Sequence, residues 1–147
     1  MGPQEIIPDN DALAAALRQF FLRLHRELER RMVGCGASIA QAKLLQSISS
    51  REVTRSTDLA TLHDLSPRTI TELIDGMERA GLVVRVPDPA DRRAKNLTLT
   101  PAGVAANVAA EEIRQVFYND VFDSLDDRER RELGGLLAKL TARPAAP

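Results

Sequence analysis

The sequence predicts a mainly α-helical chain with one small β-hairpin wing: a winged helix-turn-helix flanked by N- and C-terminal helices that pair two copies. Three observations lead there. Residues 66–81 have helical periodicity with a start and a stop signal, and 82–100 hold two short β-forming segments joined by a turn-rich, basic tip. Helical patterns at both ends carry apolar faces that a winged helix of this size does not cover alone.

Taken in chain order, residues 11–33 are amphipathic, with Leu13, Leu17, Phe20, Phe21, Leu24, Leu28 and Met32 on one period, and Gly34-Cys35-Gly36 stops them. Ser38 followed by Gln41 is a capping-box pattern, opening a helix to about Ser49 with Leu44, Leu45 and Ile48 inward. A short capped helix is expected over Arg55 to Leu62, and His63-Asp64-Leu65 is the turn before a recognition helix. That helix starts at Ser66-Pro67, since serine caps orphan N–H groups and proline at the first helical position loses no hydrogen bond.

Ile70, Leu73, Ile74 and Met77 form its inward face, leaving Arg68, Thr71, Glu72 and Asp75 outward, and Gly81 ends it. Leu82 to Val86 and Lys95 to Thr100 suit strands. Between them Pro87 to Asp91 form a tight polar tip, followed by Arg92, Arg93 and Lys95. Such a tip can place an arginine in a minor groove. Pro101 starts a helix that runs to about Asp120 to Phe122, and Asp126 with Glu129 opens the last one, bearing Leu133, Leu136, Leu137 and Leu140.

At 147 residues and 44% hydrophobic content the chain suits one domain or one subunit of a small oligomer. No apolar run reaches the roughly 18 residues of a membrane span. The N-terminus shows no secretory signal pattern, so a cytoplasmic location is expected, and the single Cys35 fits a reducing compartment. Net charge is −1. Between Asp64 and Thr100 the basic residues (Arg68, Arg79, Arg85, Arg92, Arg93, Lys95) equal the acids (Asp64, Glu72, Asp75, Glu78, Asp88, Asp91) in number. Binding to DNA must therefore come from placed arginines rather than a basic field.

Two histidines and one distant cysteine make no metal site, and no cofactor is implied. No nucleophile with a base, paired catalytic acids or phosphate-binding glycine loop occurs, so an enzyme is not expected.

Leu65-Ser66, Leu73 through Leu82 with Glu78, Ala80 and Gly81, and above all Asp91, Arg93, Leu99, Thr100 and Gly103 resemble the MarR family of bacterial transcriptional regulators. The last five match that family's wing signature at every spacing. The resemblance covers nearly the whole chain. It implies residues 37–100 as the DNA-binding domain and residues 1–36 with 101–147 as a helical dimerisation region.

The expected DNA-contacting set is Ser66, Pro67, Arg68, Thr69, Thr71 and Glu72 on the recognition helix, with Asp91, Arg92 and Arg93 in the wing. Arg68 can pair with guanine O6 and N7, and Thr71 can touch a thymine methyl or a phosphate. Ser66 serves as a cap or donates to a phosphate. Glu72, an acid where many members have a basic or neutral residue, either accepts from cytosine N4 or holds Arg68 in place.

The resemblance also implies that Asp91 braces the wing while an arginine contacts DNA; the alternative is an Asp91–Arg93 loop salt bridge. Phe20, Phe21, His25, Leu45 and Phe117 are either an effector pocket for a small aromatic molecule or packed core and interface.

The function expected is a homodimeric DNA-binding transcriptional regulator, a repressor released from a pseudo-palindromic operator by that effector. The alternative is a winged-helix protein-interaction module without sequence-specific DNA binding, which the neutral charge would suit.

Overall fold

The computed structural model describes residues 7–50, 54–91 and 93–142. They form helices α1 (Asn10–Met32), α2 (Ile39–Ser49), α3 (Ser56–Leu62), α4 (Pro67–Arg79), α5 (Pro101–Phe122) and α6 (Asp127–Thr141). The strands are β1 (Thr54–Arg55), β2 (Val83–Pro87) and β3 (Lys95–Leu99). The chain divides into two compact units after Glu111, within α5 and within the 101–147 segment that the sequence groups with residues 1–36.

In the first unit local signals place the helix starts. Asp9 caps α1 by accepting from Ala12 N–H at 2.8 Å. At Ser38 both arms of the capping box form. Ser66 accepts from Thr69 N–H at 3.1 Å, with Pro67 as the first residue of α4. The core is assembled from α2 (Leu44, Leu45, Ile48), α3 (Leu59), α4 (Ile70, Ile74, Met77) and the sheet (Val83, Leu97), all buried.

Two left-handed residues bracket α4. Asp64 (φ 51°) follows α3; its N–H donates to Thr61 O, and Leu65 N–H donates to Ala60 O at 2.9 Å. Gly81 (φ 71°) follows α4 in the same way, with Gly81 N–H on Glu78 O and Leu82 N–H on Met77 O. Each is a Schellman closure, which caps the orphan carbonyls of one helix and turns the chain sharply into the next element. Glycine fits that conformation freely, whereas aspartate is among the few other residues that tolerate it.

The sheet is antiparallel in the order β1-β3-β2, pairing Val83 with Leu99, Arg85 with Leu97 and Thr54 with Leu97. β1 corrects the sequence reading. Arg55, expected as the start of a capped helix, lies in this two-residue edge strand, and α3 begins after it with no side-chain cap. The third strand also changes β3: Asn96, on the polar side of the alternation, is buried, flanked in register by Arg55 and Val86.

β3 meets α5 at a crowded corner. The Thr100 hydroxyl donates to Gly81 O (2.5 Å), its oxygen accepts from Gly103 N–H (3.0 Å), and Thr100 N–H donates to Leu82 O (3.0 Å). The first turn of α5 is thereby fastened to the chain leaving α4. A Cβ on Gly103 would stand 1.9 Å from Leu82 O and 2.9 Å from its carbonyl carbon. Only glycine lets the two backbones approach so closely.

The wing is fastened where its strands give way to the tip. Arg55 of β1 forms an ion pair with Asp88, whose side chain also accepts from Ala90 N–H at 2.8 Å. Asp88 N–H bonds to Ala94 O, and Ala94 N–H to Asp91 O. The Arg55 hydrogen bond, more than any other contact, holds the Asp88 carboxyl below its ordinary pKa of 3.8.

In the second unit, Asp126 and Glu129 complete the acidic capping box of α6. Arg130 ties the preceding turn by donating to Leu125 O and Asp123. α6 buries no residue; Leu136, Leu137 and Leu140 are exposed. In the first unit Leu13, Leu17, Phe20, Phe21, Val104 and Val108 are likewise exposed.

Two measurements test this account. Gly103→Ala is expected to lower unfolding stability by more than about 2 kcal/mol, because the added methyl meets backbone that must move; an unchanged urea midpoint would refute the close approach. A carboxyl with a lowered folded pKa stabilises above its unfolded pKa, and that contribution is lost as pH falls through the folded value. The stability gap between the wild type and Asp88→Asn is therefore expected to narrow from about pH 6 to about pH 3, and a constant gap would mean the ion pair contributes nothing.

Candidate nucleic-acid interface

The exposed face of the first two turns of α4 carries Ser66, Pro67, Arg68, Thr69, Thr71 and Glu72. Most of their polar atoms are already engaged. Ser66 Oγ holds the cap and lies 2.8 Å from Thr69 Oγ1. The Thr71 hydroxyl donates back to Pro67 O at 2.7 Å, leaving its lone pairs and methyl outward. Arg68 Nε donates to Glu72 Oε1 at 2.9 Å, with both side chains exposed. That bond occupies one side of the guanidinium and leaves its end-on pair of nitrogens for another acceptor.

In the wing, Asp91 and Arg93 come together through the backbone: Arg93 N–H donates to Asp91 Oδ1 at 3.0 Å, an Asx turn. The Arg93 side chain is exposed and makes no ion pair among the described residues, and Lys95 beside it is also exposed. Arg92 lies outside the described residues.

The remaining acids are paired by contacts that sequence spacing does not reveal. Arg85 on β2 reaches α4, donating to Asp75 at 2.5 Å and pairing with Glu78. The hydrogen bond to Asp75 is the largest of the effects that raise its pKa, so it is a fixed cation. With Glu72 held by Arg68 and Asp88 by Arg55, four of the six acids counted from Asp64 to Thr100 face an arginine. These pairs hold the acids locally and leave Arg93 and Lys95 exposed without an ion pair among the described residues.

The other expected set has four members in the first unit and one, Phe117, in the second. On α1, Phe20 and Phe21 are half-exposed, and the Phe21 ring stacks on His25 with centroids 5.9 Å apart. His25 also pairs with Glu29. Leu45 belongs to the buried core of the first unit; Phe117, in the second unit, is buried with its ring 5.6 Å from Tyr118. A cleft of about 380 Å³ opens where α1 meets α2, lined by Glu29, Met32, Ala37, Ile39 and Gln41 among others, and none of its lining residues is in that set.

Cys35 is buried, its thiol directed at Ala37 O. Among the described residues no three His, Cys, Asp or Glu side chains gather as metal ligands, and no helix is long and apolar enough to cross a membrane.

The sequence model of the MarR family matches residues 37–95. A transcriptional regulatory protein named for the hcr operon of Thauera aromatica is 34% identical over 97 residues, 66% of this chain and 58% of that protein. The match thus spans little more than half the length of that relative. The apo crystal structure of MarR from E. coli aligns over 93% of this chain and 98% of its own at a TM-score of 0.74 and 25% identity. MepR of S. aureus, crystallised as a complex with DNA, aligns over 88% and 96% at a TM-score of 0.78 and 19% identity, a likeness of fold. With the winged helix, its aspartate-braced hairpin and the Leu99-Thr100-Gly103 corner in place, the chain carries a MarR-family domain over residues 37–95 and shares the fold of MarR.

Proposed function

We propose that the protein is a homodimeric, cytoplasmic transcriptional regulator, not an enzyme, that represses by binding a pseudo-palindromic operator in double-stranded DNA and is released by a small aromatic effector. One observation supports the DNA-binding core of this reading most. The outward turns of α4 and the wing expose arginines with unspent donors, Arg68 and Arg93, while Asp88 is paired with Arg55 and Asp75 and Glu78 share Arg85.

In this reading α4 enters a major groove, where Arg68 and Thr71 meet base edges and the cap residues Ser66, Pro67 and Thr69 approach the backbone. The wing lies over the adjacent minor groove, Asp91 holding the turn and Arg92 or Arg93 reaching inward. Residues 1–36 and 101–147 supply the dimer interface, as the exposed leucines and phenylalanines of α1 and α6 suggest. Two copies of α4 then fall about one helical turn, ~34 Å, apart. An effector seated on α1 beside Phe20, Phe21 and His25 would act by favouring a dimer with the wrong spacing.

Genomic DNA fragments selected on the purified protein at about 50 mM salt are expected to yield an inverted repeat with half-sites about 10 bp apart. Recovery of random fragments alone would overturn the reading in favour of a protein-docking module. Arg93→Ala is expected to weaken binding about tenfold across all sequences and lower the salt slope by about one, with the thermal midpoint unmoved. Unchanged affinity would remove the wing from the interface. Light scattering that finds a monomer at micromolar concentration would refute the dimer.

A further inference from the structure

The Arg68–Glu72 pair has no evident role in stability. Both side chains are largely exposed, 87% and 65%, where ion pairs contribute little. Arg68 is also placed against the helix field: it lies in the first turn of α4, which has no acidic residue, and a cation there faces the positive end of the macrodipole. Among i,i+4 pairs, the order with the base N-terminal to the acid is the weaker one. An acid on a surface that meets phosphates is, taken alone, repulsive.

Among the outward side chains of the first two turns, the hydroxyls of Ser66, Thr69 and Thr71 are engaged locally, so Arg68 is the donor with capacity to spare. Its Nε is bound by Glu72 Oε1 at 2.9 Å. That bond restricts the rotamers of a long side chain and leaves its two terminal nitrogens open to a second acceptor.

We infer that Arg68 and Glu72 form a single guanine-reading unit, in which Glu72 is a positioning residue that aims the two terminal nitrogens of Arg68 at guanine O6 and N7. This rests on the DNA-binding reading above. The bidentate contact supplies discrimination at one base pair in each half-site. Glu72 contributes no base contact itself, and its charge opposes non-specific binding by repelling phosphate, so it sharpens the ratio of specific to non-specific affinity from both sides.

The test is sequence selection with the full-length wild type and with Arg68→Ala, Glu72→Ala and Glu72→Gln, followed by affinities for the selected site, the site with its guanine replaced, and random duplex. The wild type should show a guanine in each half-site that is worth about 10- to 100-fold. Arg68→Ala should lose preference at that base pair alone. Glu72→Ala should lose most of the same preference while binding random duplex more tightly, and Glu72→Gln, whose side-chain oxygen can still accept from Arg68 Nε, should keep much of it. Thermal midpoints should stay together.

A Glu72→Ala protein that binds every sequence more tightly with its guanine preference intact would make Glu72 a bystander. Loss of preference at a different base pair would make it a direct reader, and either result overturns the positioning role. A wild type that selects no motif would instead overturn the DNA-binding reading, and this inference with it.

Discussion

The seat of Gly103 on the Leu82 carbonyl is the constraint on which the rest of the structure depends. Three elements converge there: α4 has ended in the left-handed Gly81, β2 is starting, and α5 begins after β3. Thr100 joins them through its hydroxyl and its N–H. Because β2 and β3 are the arms of the wing, the same corner fixes where the wing lies relative to α4. A side chain at 103 would open it by more than an ångström and carry the hairpin away from the helix it flanks.

A second layer of constraint is electrostatic. Arg85 joins the middle of the wing to α4, and Arg55 of β1 holds the start of its tip at Asp88. These arginines come from strands, their acids from α4 and the loop. The pairs tie these acids down through cations that stay charged at any working pH.

Local chemistry was legible in the sequence wherever it repeats within a turn or two. Ser38–Gln41, Ser66–Pro67, Gly81 and Asp126–Glu129 each act where their spacing predicts, since a cap needs only its own helix. The i,i+4 pairing of Arg68 with Glu72 was one of two open possibilities, and the structure forms it. What spacing could not show was long-range. β1 is two residues long and exists because β3 offers it a free edge; Arg55 finds Asp88 33 residues away, and Arg85 finds Asp75 across an intervening turn. The Thr100 and Gly103 signature could be read as a family likeness, but its reason, a backbone carbonyl pressed against a position with no Cβ, appears only in three dimensions.

β2 ends the sheet on one side with Val84 and Val86 exposed and Pro87 as its last residue. An outer strand of that kind invites addition of a stranger's strand, the route by which small sheets polymerise. Proline has no N–H to offer at the end where an incoming chain would register, Arg85 is drawn down to the helix, and five residues give little length to template. The outer edge of the hairpin can therefore stay exposed and still resist zipping onto its neighbours when many copies crowd together.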